Sequence, residues 1–162
     1  MTLNRYFFRA FRALGLTLLL AGMASAQTPA SAPIPLQATL LTGERFELGA
    51  LKGKVVMLFY WSTQCAVCRS HLPELRANLA GWKDKPFELV TVNVDKNQTE
   101  WRAYEKILAQ TSAVRPTAVW QGDLMLAKLP VTVVLDVQGR EAARHEGRIA
   151  PEAWDDVAAL LP

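Results

Sequence analysis

An unbroken apolar run followed at once by two cysteines constrains the fold of this chain more than any other feature. The run extends from Val55 to Trp61, and its β-branched and aromatic residues are typical of a central strand buried on both faces. Cys65 and Cys68 are the only cysteines, and they open a segment whose leucines recur at helical spacing. Two cysteines three positions apart at the start of a helix, directly after a buried strand, are typical of a redox pair in a βαβ unit.

The remaining segments alternate between strand-like and helix-like patterns. The predicted elements are a hairpin over Leu36 to Leu48 turning at Thr42 and Gly43, a helix from Cys65 to Trp82 kinked by Pro73, a strand from Phe87 to Val94, a helix from Asp95 to Ala109, a short strand from Thr117 to Trp120, a hairpin pairing Val131–Leu135 with Glu141–Glu146, and a last helix opened by Pro151. This order predicts an α/β domain with a mixed central sheet covered on both faces.

The N-terminus has the pattern of a secretory signal peptide. Arg5, Arg9 and Arg12 form a positive region, an apolar run of about a dozen residues follows, and Ala24-Ser25-Ala26 is a small-residue cleavage site. The run is shorter than the roughly 20 residues of a membrane-spanning helix. We therefore predict a signal peptide over residues 1–26, a Pro/Ala-rich tether over 27–35 and one domain over 36–162, with an uncleaved anchor as the alternative.

Export changes how the charge and the cysteines are interpreted. The chain has net charge +3, and the three arginines of the signal segment account for all of it. The exported protein is therefore near neutral, which gives no reason to expect nucleic-acid binding. We expect a periplasmic location, where disulfides persist. A single disulfide that closes so short a loop would stabilise the fold little, so a redox role is the better interpretation.

The spacing also suggests different roles for the two thiols. Cys65 is expected at the N-terminus of the helix, where unpaired backbone N–H groups and the helix dipole stabilise a thiolate. A thiolate is the nucleophile of disulfide exchange. Cys68 is expected one turn further into the helix and more deeply buried. We therefore assign the attack to Cys65 and the resolution of the mixed disulfide to Cys68.

The motifs around the two cysteines resemble those of the thioredoxin-fold, exported TlpA/ResA-like thiol–disulfide oxidoreductases. The matching features are Lys52-Gly-Lys-Val-Val56 before the strand, Trp61 four residues before Cys65, Pro73 eight residues after it, Val92-Asn-Val-Asp95, and Leu129-Pro-Val-Thr-Val-Val-Leu-Asp136 followed by Gly139. The resemblance covers roughly Leu36 to Leu161. It implies a thioredoxin-like fold with a central mixed β-sheet flanked by helices, an N-terminal β-hairpin, and a helix–strand insertion before Pro130.

The resemblance also implies the site and its partners. Pro130 is expected in the cis form facing the cysteines, with Leu129 beside it docking substrate peptide together with Trp61 and Gln64. The substrates would be protein thiols and disulfides, no cofactor or resident metal is implied, and a membrane electron donor of the thiol-relay type would recharge the pair. Relatives mostly reduce their substrates, so a reductase is expected, although the residues themselves leave the direction open.

The sequence departs from the family pattern around the cysteines. Gln64 replaces the usual tryptophan before Cys65, and Phe59 stands where thioredoxin has a buried acid. ResA-like proteins have a glutamate three residues after the second cysteine, and His71 occupies that position here. His71 shares a helix face with Cys68 and could exchange protons with it, or could be a half-exposed surface residue. We expect Glu74 to be a solvated helix residue and His145 to be structural.

Two other functions are compatible with a pair of nearby cysteines. A chaperone that handles copper or another metal could bind it through Cys65 and Cys68, although the pair supplies only half of a zinc site. A peroxidase of the peroxiredoxin type is disfavoured, because Ser62 stands where that chemistry usually has threonine. Metal retained through purification would favour the chaperone, whereas reversible titration of two thiols without metal would favour the oxidoreductase.

Overall fold

A computed structural model describes residues 36–122 and 124–162. The signal segment 1–26 and the tether 27–35 therefore lie outside the described residues. The described part contains one six-stranded sheet with strand order β1-β4-β3-β2-β5-β6, three α-helices and a 3-10 helix at Leu48–Leu51. The elements are β1 Thr39–Leu40, β2 Val55–Trp61, α1 Ala66–Gly81, β3 Phe87–Asn93, α2 Gln98–Thr111, β4 Thr117–Trp120, β5 Val131–Leu135, β6 Glu141–Glu146 and α3 Ala153–Ala159. Among these residues no helix is long and apolar enough to cross a membrane.

Strand β2 is the centre of the sheet, as its unbroken apolar sequence predicts. Every residue of β2 is buried, and the strand pairs in parallel with β3 and antiparallel with β5. Because successive side chains of a strand point to opposite faces, β2 contributes to two separate apolar clusters. Phe59 and Trp61 belong to one cluster, and Leu58 and Tyr60 belong to the other. The mixed sheet of the predicted thioredoxin-like fold is therefore confirmed.

The three α-helices all bury residues in the same cluster. Leu72 of α1, Trp101 of α2 and Val157 of α3 pack in the cluster that contains Phe59. Strands β2, β3 and β4 lie side by side in chain order across the sheet. Because crossovers between parallel strands are right-handed, the two helices that connect them, α1 and α2, lie on the same face. The other face is covered by the N-terminal segment, the 3-10 helix and leucines of the segment before Pro130. Both faces are thus covered, but the α-helices cover only one of them.

The two predicted hairpins differ in how much regular pairing they form. In the first, Gly43 takes a positive φ of 93° at the turn, and a single antiparallel bridge joins Thr39 to Arg45. Strand β1 itself has two residues and pairs with β4. In the second hairpin, β5 and β6 pair along their length and turn at Gly139, where φ is 81°. The predicted insertion is also present, formed by α2 and β4.

Two helices begin later than their sequence patterns predict. Helix α2 begins at Gln98, because the Asn97 side chain caps it by accepting the Thr99 N–H at 2.9 Å. Helix α3 begins at Ala153, after a turn that contains Pro151. Neither difference moves a residue of the candidate site.

Candidate functional site

Cys65 lies at the junction that the sequence predicts, between the end of β2 and the start of α1. It is the N-cap of α1, and its sulfur accepts the Cys68 N–H at 3.1 Å. Its sulfur is bonded to that of Cys68, with an S–S distance of 2.08 Å. Cys65 is half-buried, whereas Cys68 is 0% exposed. A target can therefore reach only Cys65, and the helix N-terminus stabilises negative charge on that sulfur.

A buried carboxylate holds the loop that leads into Cys65. Asp95 is 7% exposed and lies just after β3. Its carboxylate accepts the Ser62 hydroxyl at 2.5 Å, the Thr63 N–H at 3.1 Å and the Asn93 side-chain amide at 3.0 Å. The Ser62 carbonyl in turn accepts the Cys65 N–H at 3.1 Å. Asp95 thus couples the end of β3 to the backbone that presents the cysteine, a role that its place in the sequence does not reveal.

The predicted proline loop takes the expected form. The Leu129–Pro130 peptide bond is cis, and it immediately precedes β5, the antiparallel neighbour of β2. Pro130 is buried and Leu129 is half-buried. An open groove of about 320 Å³ is lined by both Leu129 and Gln64. This groove therefore brings together residues before the first cysteine and before the cis-proline. It is also lined by Ser62, Val94, Asp95, Lys96, Leu124, Met125 and Leu126.

The other two residues expected to bind substrate differ in exposure. Gln64 is exposed, and its side-chain amide donates to Glu100 of α2 at 3.1 Å. Trp61 is 0% exposed and packs against Tyr104, with ring centroids 5.1 Å apart. Trp61 therefore supports the site from the core side and presents no side-chain surface to a substrate. Val67, between the two cysteines, is 47% exposed and adds an apolar surface that our sequence interpretation did not use.

His71 lies in the core, which excludes the expectation of a half-exposed surface histidine. It is 0% exposed and lies one helical turn after Cys68. Its ring is 5.8 Å from the ring of Phe59 on β2, and its Nδ1 lies 3.2 Å from Glu74 Oε2. Burial lowers the pKa of His71 below its ordinary value, Glu74 opposes this shift, and Arg148 adds to it. At neutral pH the ring is therefore uncharged and can accept a proton.

Glu74 is partly exposed, but its carboxylate is not left to solvent as its surroundings in the sequence suggest. Its Oε1 accepts the Trp154 indole N–H at 2.9 Å, and its Oε2 accepts a guanidinium N–H of Arg148 at 2.9 Å. Arg148 lies 74 residues and Trp154 lies 80 residues further along the chain. The expectation was wrong because it considered only neighbours in sequence, whereas the contacts come from α3 and the segment before it.

Two further sequence expectations concern His145 and metal binding. His145 is half-buried in β6, opposite Thr132 of β5, which agrees with a structural role. Within residues 36–122 and 124–162, no group of three or more histidine, cysteine or acidic side chains is placed to hold a metal ion together.

Comparisons with known proteins identify the family of the chain. The AhpC/TSA family profile matches residues 30–152 of the chain. Over 119 residues the chain is 27% identical to a thiol-disulfide oxidoreductase ResA of Bacillus cereus, covering 70% of this chain and 67% of that one. The chain thus spans about two thirds of the length of this curated relative.

Solved structures show the same architecture. A crystal structure described as a thiol:disulfide interchange protein DsbE from Chlorobium tepidum aligns with a TM-score of 0.65 at 25% identity, covering 77% of this chain and 92% of that one. StoA from Bacillus subtilis aligns with a TM-score of 0.59 at 20% identity, covering 80% of this chain and 99% of that one. The fold that surrounds the cysteine pair is therefore shared with these proteins.

Proposed function

The chain belongs to the AhpC/TSA family, and on that premise we propose that it is a periplasmic thiol–disulfide oxidoreductase that reduces disulfides in other proteins. The observation that carries the proposal is the asymmetry of the Cys65–Cys68 disulfide. Cys65 is half-exposed at the N-terminus of α1, whereas Cys68 is fully buried behind it. The names of the relatives ResA and DsbE support the same activity.

The proposed reaction begins with the pair in its reduced form. The Cys65 thiolate attacks one sulfur of a target disulfide, forms a mixed disulfide and releases the first target thiol. Cys68 then loses its proton, and its thiolate attacks the sulfur of Cys65. This step forms the Cys65–Cys68 disulfide and releases the second target thiol. Two electrons have then passed from the cysteine pair to the target, and the two released thiolates take up protons from solvent, which has received those of Cys65 and Cys68.

We assign to the groove beside Cys65 the docking of the target polypeptide. Leu129, which precedes Pro130, and Gln64, which precedes Cys65, both line this groove. Trp61 is buried and supports the site only from the core, where it packs against Tyr104. The exposed side chains of Val67 and Met125, 47% and 88% exposed, supply apolar surface for contact with a target.

We place the protein in the periplasm, with a membrane electron donor of the thiol-relay type that restores the reduced pair. The support is the signal-peptide pattern of residues 1–26 and the need for a reductant in an oxidising compartment. Fractionation of cells that express the full chain tests this placement. Recovery in the cytosolic fraction with residues 1–26 still attached would refute it.

The decisive experiment for the activity is a trapping variant. In Cys68→Ala the mixed disulfide on Cys65 cannot be resolved, so target proteins should remain covalently attached in periplasmic extract. Cys65→Ala is the matched control, because its remaining thiol is buried and should trap nothing. If Cys68→Ala traps no protein, or if both variants trap the same proteins, the proposed activity is wrong.

The direction of electron flow follows from the reduction potential of the pair. Equilibration with a dithiothreitol buffer should give a potential near that of thioredoxin, about −270 mV, if the protein is a reductant. A potential near that of DsbA, about −120 mV, would instead identify an oxidant. The same titration should proceed reversibly without metal, whereas stoichiometric metal on the pair would support the chaperone alternative.

We also propose that His71 accepts the proton of Cys68 during resolution. His71→Ala should slow the second thiol release by about a hundredfold, the lower end of what a general base contributes. The first release, by Cys65, should be unchanged. His145→Ala is the control, because this histidine lies in β6. An unchanged pH profile of thiol reactivity in His71→Ala would remove His71 from the mechanism.

A further inference from the structure

Glu74 connects His71 to a distant part of the chain. Both of its carboxylate oxygens have partners outside α1, namely Trp154 of α3 on Oε1 and Arg148 on Oε2, each at 2.9 Å. Oε2 also faces His71 Nδ1 at 3.2 Å. We call Glu74, Arg148 and Trp154 the carboxylate clamp. It holds the carboxylate in one position beside a histidine that has no contact with solvent.

The approach of the Glu74 carboxylate distinguishes the two ring nitrogens of His71. The charged groups that act on the ring are Glu74 on α1 and Arg148 before α3, and Cys68 precedes His71 by one turn of α1. Strand β2 presents Phe59, which carries no charge. Because the carboxylate faces Nδ1, we assign the proton of the neutral ring to Nδ1, which leaves Nε2 as an acceptor. Among the described residues neither ring nitrogen has a hydrogen-bond partner of good geometry, and both are buried; the Glu74 carboxylate lies 3.2 Å from Nδ1.

We propose that Glu74 is a positioning residue for disulfide exchange, orienting His71 through the carboxylate clamp and balancing the charge when His71 takes the Cys68 proton. The proposal deepens the proposed function and rests on it. In the step, the Cys68 S–H proton moves to His71 Nε2, and the Cys68 thiolate attacks Cys65. The electron pair of the broken mixed disulfide leaves with the target thiolate. His71 later returns its proton to solvent, and the partly exposed Glu74 carboxylate neutralises the imidazolium in the meantime.

The two charged members of the clamp should act on His71 in opposite directions. The negative charge of Glu74 favours the protonated ring, and the positive charge of Arg148 disfavours it. Glu74→Gln should therefore lower the pKa of His71, and Arg148→Gln should raise it. Glu74 acts mainly on His71 and much less on Cys68, because six residues of helix place Cys68 about 9 Å away along the axis. A residue that only stabilised the fold would not produce shifts of opposite sign.

The test is an NMR titration of the histidine rings in the oxidised full chain. The sequence contains only His71 and His145, so His145 is an internal reference in every sample. We expect a lower pKa of His71 in Glu74→Gln, a higher one in Arg148→Gln, and no change of His145 in either. Glu47→Gln is the matched control, because it removes a carboxylate from an exposed ion pair with Arg45. If His71 does not shift, or shifts in the same direction in both variants, the proposal is overturned.

A kinetic measurement separates this proposal from the proposed function. The reduced protein is mixed with an aromatic disulfide whose released thiol is coloured, so attack by Cys65 and resolution by Cys68 are seen as two successive releases. Glu74→Gln should slow the second release by about tenfold, a fraction of the contribution of a general base, and should leave the first unchanged. Equal slowing of both releases would contradict the positioning role. Failure of the wild-type protein to release any thiol would refute the proposed function, and the histidine titration would still report on the clamp.

Discussion

Replacing Asp95 by asparagine tests whether one buried carboxylate organises the loop before Cys65. The change keeps the size of the side chain but replaces one acceptor oxygen with an NH₂ group. Three donors converge on this carboxylate, from Ser62, Thr63 and Asn93. In the variant at least one donor is left buried and unpaired, which costs about 1–3 kcal/mol. The two remaining hydrogen bonds lose their charge assistance, roughly 1 kcal/mol each.

We therefore expect Asp95→Asn to lower the free energy of unfolding by about 3–5 kcal/mol, measured by urea denaturation of the oxidised protein. Ser62→Ala removes one donor to the carboxylate and the acceptor of the exposed Gln64 N–H, and it should cost only about 1 kcal/mol. Asp84→Asn is the control, because Asp84 is exposed and should change stability by less than about 0.5 kcal/mol. A loss below about 1 kcal/mol in Asp95→Asn, or a loss equal to that of Asp84→Asn, would refute the reasoning.

Three other perturbations test the core. Burial raises the pKa of Glu105, so the folded state binds its proton more tightly than the unfolded chain. The free energy of unfolding should therefore fall as pH rises above about 4.5. In Glu105→Gln this pH dependence, measured by urea unfolding, should be weaker. Tyr60→Phe should be neutral or stabilising in urea, because the buried hydroxyl has no hydrogen-bond partner among the described residues; a loss above about 1 kcal/mol would contradict this. Leu72→Ala should lose about 2–5 kcal/mol of stability, and a loss below about 1 kcal/mol would show that the site can collapse.

The pattern of elements could be predicted because each element depends on residues close together in sequence. The length and the β-branched and aromatic residues of the apolar run from Val55 to Trp61 favour a strand buried on both faces, and the next segment begins a helix at the cysteines. The cis peptide before Pro130 followed from the resemblance, and the structure confirms it. The position of Cys65 as the helix N-cap is local in the same sense, because the cap is set by the residues on either side of it.

Predictions about the environment of polar side chains were less successful. Asp95 gave no sign of its role, because its donors Ser62 and Thr63 lie more than 30 residues earlier and meet it only through strand pairing. The interpretation of Glu74 as solvated was wrong for the same reason. The absence of the usual polar groups near the cysteines, with Phe59 in place of an acid, was visible in the sequence. His71 was visible as a candidate replacement, but its burial beside Glu74 was not.

The sequence by itself determined the order of strands and helices and which member of the cysteine pair is the more deeply buried. These features follow from periodicity and from helix and turn chemistry within a few residues. Only the tertiary structure decided that His71 is buried and that Glu74 is held between Arg148 and Trp154. Burial and charge pairing depend on which distant segments pack together, and the packing of α3 against α1 determines the surroundings of the histidine behind Cys68.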